Sequence, residues 1–231
     1  MVIKLINYLF AANRLGIKRN DFVLEIGSGS RPFLRSDVLL DVSIEPYERA
    51  GKLVMDRPLV IADAHHLPFK DGSFDYIIAA HILEHLEMPD KFILEIQRVG
   101  NSGYIETPSP FGETLFGHGF HLWYVYIKEE TLIIAKKELL VNKGNNLMNY
   151  YSIHNKYLKK FLKNIGDMLI TKLIWDGQIR FSLYNSSQKL EDILENSIAG
   201  DISLAQSHRF MFKLKSKIRE LISNIFRLLF K

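Results

Sequence analysis

The chain has 231 residues, no cysteine and a formal net charge of +4, and 47% of its residues are hydrophobic. This length and composition predict one domain with a sizeable core, and they exclude disulfides, cysteine-ligated metals and a disordered chain. Residues 208–231 carry seven Lys or Arg and one acid, whereas the rest of the chain has 23 basic and 25 acidic residues. The basic pI therefore belongs to the C-terminal segment and does not favour nucleic acid as a partner.

An amphipathic helix is predicted first, over Ile3–Leu15, with Gly16 at its C-terminal end. Lys4 and Asn7 interrupt its apolar residues, so we expect neither a signal peptide nor export, and a cytoplasmic location follows. No apolar run in the sequence approaches the ~18 residues of a membrane span.

Five strands follow, with a helix between the last two. The apolar runs place the strands at Val23–Ile26, Asp37–Asp41, Leu59–Ala62, Phe74–Ala80 and Gly103–Glu106, and the helix at Pro89–Val99. Only eleven residues separate Gly29 from Asp41, so the first crossover is either a very short helix or a turn and loop. Strands alternating with short helices predict an α/β, Rossmann-like, doubly wound and mostly parallel sheet.

The second half of the chain contains a further strand pair. Leu173–Phe181 predicts an antiparallel hairpin at one edge of the sheet, with Asp176 and Gly177 as its turn. A loop is predicted over 141–149 and an amphipathic helix over 152–165. We expect a first domain over 1–190.

A basic amphipathic helical extension is predicted over 191–231. Its apolar residues fall on one helical face: Leu214, Ile218, Leu221, Ile222, Ile225, Leu228 and Leu229. Such a helix either lies on an anionic membrane surface or packs on the domain or on a second copy as a homodimer.

A glycine turn, Gly27-Ser28-Gly29, follows the first strand directly. Its glycines permit positive φ and remove Cβ atoms where a ligand must touch the backbone. If a helix begins near Ser30, its free N–H groups favour a polar or anionic ligand beside that turn.

Polar side chains stand at the ends of four successive strands. Glu25, Asp41 and Asp63 end the first three, and His81 ends the fourth. Because open α/β sheets bind ligands at the carboxyl ends of their strands, we expect these side chains to share one site.

These motifs together resemble those of class I S-adenosylmethionine-dependent methyltransferases. The resemblance rests on Glu25-Ile-Gly-Ser-Gly29, Asp41, Ala62-Asp63-Ala64, Leu67-Pro68-Phe69, Phe74-Asp75 and Leu83-Glu84-His85, and it covers roughly residues 20–110. The likeness is closest to the small-molecule group with Leu-Pro-Phe and Phe-Asp signatures. It implies in-line transfer of a methyl group from the cofactor. We expect a small-molecule or glycan-type acceptor because the chain outside residues 208–231 is slightly acidic.

The resemblance also implies which residues hold the cofactor, S-adenosylmethionine. Gly27, Ser28 and Gly29 would contact its methionine part, and Glu25 would be oriented toward the amino group. Asp41 would accept hydrogen bonds from the ribose hydroxyls, with Asp37 as the alternative because the Gly29–Asp41 interval is shorter than usual.

At the other end of the cofactor, the resemblance implies that Asp63 accepts a hydrogen bond from the adenine amino group and that the Ala64 N–H lies close to the adenine ring. His81 would lie where the methyl group meets its acceptor. The candidates for a general base are His81, His118 and His121, since imidazole titrates near neutral pH. For His118 and His121 the alternative is a capping or packing role.

Three other interpretations fit less well. His81-Ile82-Leu83-Glu84-His85 has the form of a zinc-peptidase motif, but it follows a buried strand directly, and we expect Glu84 and His85 to cap the following helix and no metal to be bound. Nicotinamide binding would need a third glycine where Pro32 stands. A catalytically silent subunit that binds the cofactor and scaffolds a partner or a membrane-surface complex is the remaining alternative.

Overall fold

The computed structural model describes residues 15–45, 51–137, 162, 166–186, 192–194 and 196–197. Their strands are β1 (Val23–Ile26), β2 (Val38–Asp41), β3 (Leu59–Ile61), β4 (Phe74–Ala80), β5 (Gly100–Pro108), β6 (Trp123–Lys128), β7 (Thr131–Lys136), β8 (Ile170–Asp176) and β9 (Phe181–Tyr184). Helices α1 (Pro89–Val99) and α2 (Pro110–Phe116) lie between these strands, and short 3-10 turns cover Leu83–His85 and Gly166–Met168.

The larger sheet has six strands in the order β3-β2-β1-β4-β5-β8. Strands β1 to β5 pair in parallel, and β8 adds an antiparallel edge beside β5. The predicted Rossmann-like, mostly parallel α/β sheet is confirmed. Its strand order reverses between β1 and β4, which is where ligands bind in sheets of this kind.

The core forms where apolar strands are covered by the amphipathic face of α1. Leu24 and Ile77 are fully buried in adjacent strands, and Phe92, Ile93 and Ile96 of α1 pack into the same cluster. Pro89 begins this helix because its fixed φ and missing N–H suit the first helical turn. The predicted helix bounds are confirmed.

The first crossover contains no helix, since residues 27–37 form turns and loop. The turn-and-loop alternative is therefore correct, and the conditional helix near Ser30 is absent. Glu84 and His85 also do not cap α1: the cap residue is Met88, and no side chain bonds to the free N–H groups there.

A second, three-stranded sheet in the order β6-β7-β9 was not predicted. The hairpin predicted over Leu173–Phe181 is wrong, because β8 pairs with β5 and β9 pairs in parallel with β7. Gly177, at φ +72°, turns the chain from one sheet to the other. The Ile179 N–H then donates to Gln97 Oε1 at 2.6 Å, which ties the connection to α1.

Several predictions fall outside the described residues: the N-terminal helix, the loop over 141–149, the helix over 152–165 and the C-terminal amphipathic helix. Just past the predicted domain boundary, Ile193 is buried against Tyr124 and Ile133 of the second sheet. No helix in the described ranges is long and apolar enough to cross a membrane.

Shortening a core side chain of α1 should destabilise the protein. Ile96 is fully buried, so Ile96→Ala should lower the free energy of unfolding by about 2–5 kcal/mol through lost burial and a cavity. Leu94 on the same helix is 59% exposed, and Leu94→Ala should change that free energy by about 0.5 kcal/mol or less. Urea unfolding measures both, and equal losses would contradict the assigned core face.

Candidate functional site

The glycine turn lies against the end of β2. Gly27 and Gly29 have φ values of +70° and +54°. The N–H groups of Gly27 and Ser28 donate to the Leu40 carbonyl at 2.8 and 3.1 Å, and the Gly29 N–H donates to Asp41 Oδ2 at 3.0 Å. The sheet therefore brings the glycine turn and Asp41 together at its carboxyl edge.

Two further features of the turn concern space and hydrogen bonding. A Cβ atom on Gly27 would make a tight contact, 3.2 Å from Ile82 Cδ1, and the positive φ of this residue favours glycine. The Ser28 hydroxyl oxygen is buried and has no hydrogen-bond partner among the described residues. A buried unpaired hydroxyl is costly, and a polar ligand on the turn would supply its partner.

Glu25 is 3% exposed and holds the loop that replaces the first crossover helix. Its Oε2 accepts hydrogen bonds from the Phe33 N–H at 2.8 Å and from the Ser36 hydroxyl. Arg57 donates to the carbonyls of the same two loop residues. Burial raises the pKa of Glu25 to about 7, although these hydrogen bonds and the charge of Arg57 oppose the increase.

Asp63 lies two residues beyond the end of β3. Its Oδ1 accepts hydrogen bonds from the His65 N–H at 2.9 Å and is 2.7 Å from His65 Nδ1. The backbone hydrogen bond from His65 is the main reason why the pKa of Asp63 is lowered. Ala64 is buried beside it. Asp37, the alternative ribose ligand, lies at the opposite edge, where it accepts from the Val23 N–H.

A cavity of about 400 Å³ opens beyond β4 and β5. Its walls come mainly from the 3-10 turn after β4, from α2 and from the loop that follows α2. They comprise His81, Glu84, His85, Pro108, Gly112, Glu113, Phe116, Gly117, His118, Phe120, His121, Leu169 and Ile170. All three predicted base candidates therefore line one cavity, whereas Glu25, Asp41 and Asp63 do not line it.

His81 links the strand edge to this cavity. Its φ is +55°, which is unusual for a residue with a Cβ, and its N–H donates to the Glu106 carbonyl at 2.7 Å. The ring lies between two carboxylates, with Nε2 3.3 Å from Glu106 Oε1 and Nδ1 3.4 Å from Glu84 Oε1. Glu106 first and Glu84 second raise the pKa of His81 to about 10, so the ring carries a proton at neutral pH.

His121 belongs to a buried charge network. Its Nδ1 lies 2.6 Å from Glu113 Oε2, and Lys137 pairs with the other carboxylate oxygen of Glu113. Lys137 also donates to the His118 carbonyl at 3.0 Å. These contacts fix the loop after α2, because Glu113 lies on α2, His121 lies on the loop and Lys137 directly follows β7.

His118 is held by aromatic packing. Its ring stacks on Phe120 with centroids 4.9 Å apart, and His85 stacks on the same phenyl ring at 5.4 Å. Burial lowers the pKa of His118, so this ring is neutral at neutral pH.

The sequence interpretation missed Glu106, Glu113 and Lys137. Glu106 ends the fifth predicted strand, and the rule that selected the other acids applies to it equally. Glu113 lies on a helix that begins with Ser109 and Pro110, where the Ser109 hydroxyl accepts from the Gly112 N–H at 3.0 Å. Nothing in the sequence near Lys137 indicates its contact with residues about twenty positions earlier.

Comparison with known proteins supports the likeness over the same strands. A family profile described as "Methyltransferase domain" matches residues 24–105. The match covers 82 of the 231 residues. The cofactor implied by this match is S-adenosylmethionine.

The chain is similar to curated proteins over short stretches. Ajmaline N-methyltransferase of Rauvolfia serpentina is 44% identical over 43 residues, which are 19% of this chain and 15% of that protein. Uncharacterized protein MJ1252 of Methanocaldococcus jannaschii is 38% identical over 87 residues, 36% of this chain and 34% of that protein. The chain thus spans well under two thirds of these relatives.

Among solved structures, a SAM-dependent methyltransferase from Aquifex aeolicus is similar, with a TM-score of 0.33 and 16% identity. The match covers 45% of this chain and 64% of that one.

Replacing Glu25 by glutamine should remove one component of the pH dependence of stability. The folded pKa of about 7 exceeds the unfolded value of 4.5, so this group stabilises the fold below pH 4.5 and the contribution disappears as pH rises through 7. The loss is about 3 kcal/mol of unfolding free energy, at 1.36 kcal/mol per pKa unit.

Urea unfolding at several pH values tests this. Between pH 4.5 and 7, the wild type should lose stability relative to Glu25→Gln, which keeps an oxygen acceptor for Phe33 and Ser36. Glu87→Gln, at an exposed position, should follow the wild type. Parallel curves for Glu25→Gln and the wild type would contradict the assigned shift.

Proposed function

We propose that the protein is an S-adenosylmethionine-dependent methyltransferase that acts on a small-molecule or glycan-type acceptor. The observation that supports this most directly is the Asp41 carboxylate fastened to a positive-φ glycine turn at the edge where the strand order reverses. A cavity lined by histidines lies at the ends of the next two strands. The two regions meet at His81.

The residues on the cofactor side suit the chemistry of that cofactor. The Ser28 hydroxyl has no partner in the part of the chain that the structure describes, and the buried Glu25 carboxyl has a raised pKa that a neighbouring ammonium group would lower. Asp41 and Asp63 are carboxylate acceptors for the ribose hydroxyls and the adenine amino group. When bound, S-adenosylmethionine supplies the methyl group, and the protein contributes orientation and exclusion of water.

The acceptor side is proposed to be the histidine-lined cavity. His118 presents a ring whose described packing partners are aromatic, whereas His121 is engaged by Glu113 and His81 by two glutamates. His118 is therefore our choice of general base for an acceptor hydroxyl or N–H group. His81 and His121 orient the acceptor and the cavity wall.

Calorimetry with S-adenosylmethionine tests the cofactor assignment. Asp63→Ala should weaken binding about tenfold or more, because a charge-assisted hydrogen bond contributes about 1.5–3 kcal/mol. Asp71→Ala is the control, since Asp71 is an exposed acid before the start of β4, at the opposite edge of the sheet. Wild-type affinity in Asp63→Ala would remove the adenine assignment, and no binding by the wild type would refute the proposed function.

Transfer of labelled methyl groups into cell-extract metabolites tests the activity itself. His118→Asn should lower turnover by about a hundredfold or more, the usual loss when a general base is removed, with unchanged cofactor affinity. Full turnover in His118→Asn would exclude this base. Cofactor binding without transfer to any extract component would instead favour the scaffolding alternative.

A further inference from the structure

Three ligand-type side chains meet on one wall of the cavity: Glu84, His85 and His121. One potential ligand atom from each lies within 4.8 Å of the other two. We propose that these residues bind a divalent first-row transition ion such as zinc. Two imidazoles and a carboxylate are a common donor set for such ions, and they leave coordination positions open.

Glu84 provides the strongest reason to expect a cation. Its side chain belongs to a residue that is 1% exposed, and neither carboxylate oxygen has a hydrogen bond from a described residue. The His81 ring is near it, with Nδ1 3.4 Å from Oε1. A buried carboxylate without hydrogen bonds is costly even beside the His81 ring, and a metal ion would coordinate its oxygens directly.

His121 already has the support that metal-binding imidazoles usually have. Glu113 Oε2 engages Nδ1 at 2.6 Å, so Nε2 is the nitrogen left for an ion. A carboxylate behind an imidazole fixes its tautomer and orientation and makes it a better ligand. Because Lys137 pairs with the other oxygen of Glu113, this support adds no net negative charge to the wall.

His85 completes the set at a short distance. Its Nε2 lies 3.9 Å from Glu84 Oε1, and its ring meets the His121 ring edge to face with centroids 4.6 Å apart. Two ligands each about 2.1 Å from an ion lie roughly 3–3.5 Å apart, so small side-chain rotations would close the site. The proposed site differs from the zinc-peptidase motif in the sequence because it uses His121 in place of His81. The His81 ring lies between the carboxylates of Glu84 and Glu106.

The role of the ion rests on the proposed function, whereas the site itself does not. An ion on this wall would bind an oxygen of the acceptor and lower the pKa of its hydroxyl group. This narrows the acceptor to a molecule that presents a hydroxyl, with His118 on the same cavity to receive the proton.

The test uses the full chain after treatment with a chelator and measures metal binding without cofactor or acceptor. Titration with zinc chloride by calorimetry and with cobalt chloride by visible absorption should show one site per chain. Glu84→Gln and His121→Gln should each weaken binding at least tenfold. His66→Asn is the control, because His66 is an exposed imidazole at the predicted adenine end.

The result is decided by variants that retain a cooperative thermal transition, with His85→Gln as a replacement if one of the two does not fold. Wild-type affinity in the folded variants, or no binding by the wild type, would overturn the site. Because neither readout involves methyl transfer, failure of the metal site would leave the proposed function intact. Failure of the methyltransferase assays would likewise leave the binding result unaffected.

Discussion

A single buried carboxyl group determines how the first part of the sheet is built. Glu25 takes two hydrogen bonds from the loop after the glycine turn, and this loop occupies the place of a crossover helix. The short connection to β2 keeps Asp41 next to Gly29. The carboxyl edge of the sheet therefore forms its glycine turn without the N-terminus of a crossover helix. This arrangement keeps the Glu25 carboxyl group out of water. Burial raises the pKa of Glu25 and makes the stability of the protein depend on pH.

The cavity depends on a different electrostatic arrangement. Glu113 lies on a helix, Lys137 directly follows a strand of the second sheet, and His121 lies on a loop. Their contacts join these elements behind the cavity wall. The second sheet is thus part of the site's support as well as of the core. Buried ionic groups of this kind hold a geometry more than they stabilise a fold, because desolvation offsets most of their attraction.

The sequence predicts the elements whose signals are local. Val23–Ile26, Phe74–Ala80 and Pro89–Val99 have the predicted bounds, since continuous apolar runs and a helical apolar spacing specify them. The second sheet was missed because the β6–β7 hairpin turns at Glu129-Glu130, which carries no Asn-Gly or Asp-Gly signal, and because β9 joins β7 across a long stretch of chain. The hairpin prediction was wrong because an Asp-Gly turn indicates that the chain changes direction but does not specify which strand pairs with β8. Similarly, strand-end positions indicate Asp41 and His81, whereas Lys137 reaches Glu113 only through tertiary packing.

His81, with its left-handed backbone, lies between the carboxyl edge of the sheet and the histidine-lined cavity. A residue with a Cβ at φ +55° adopts this conformation at a cost of roughly 1 kcal/mol or more, and the Glu106 carbonyl and the two flanking carboxylates offset that cost. The backbone conformation of His81 therefore depends on the charges of Glu84 and Glu106, which face its ring. A glycine at this position would relax the main chain, but it would also leave the Glu84 and Glu106 carboxylates without the ring that faces them, so the two effects on folding would oppose each other.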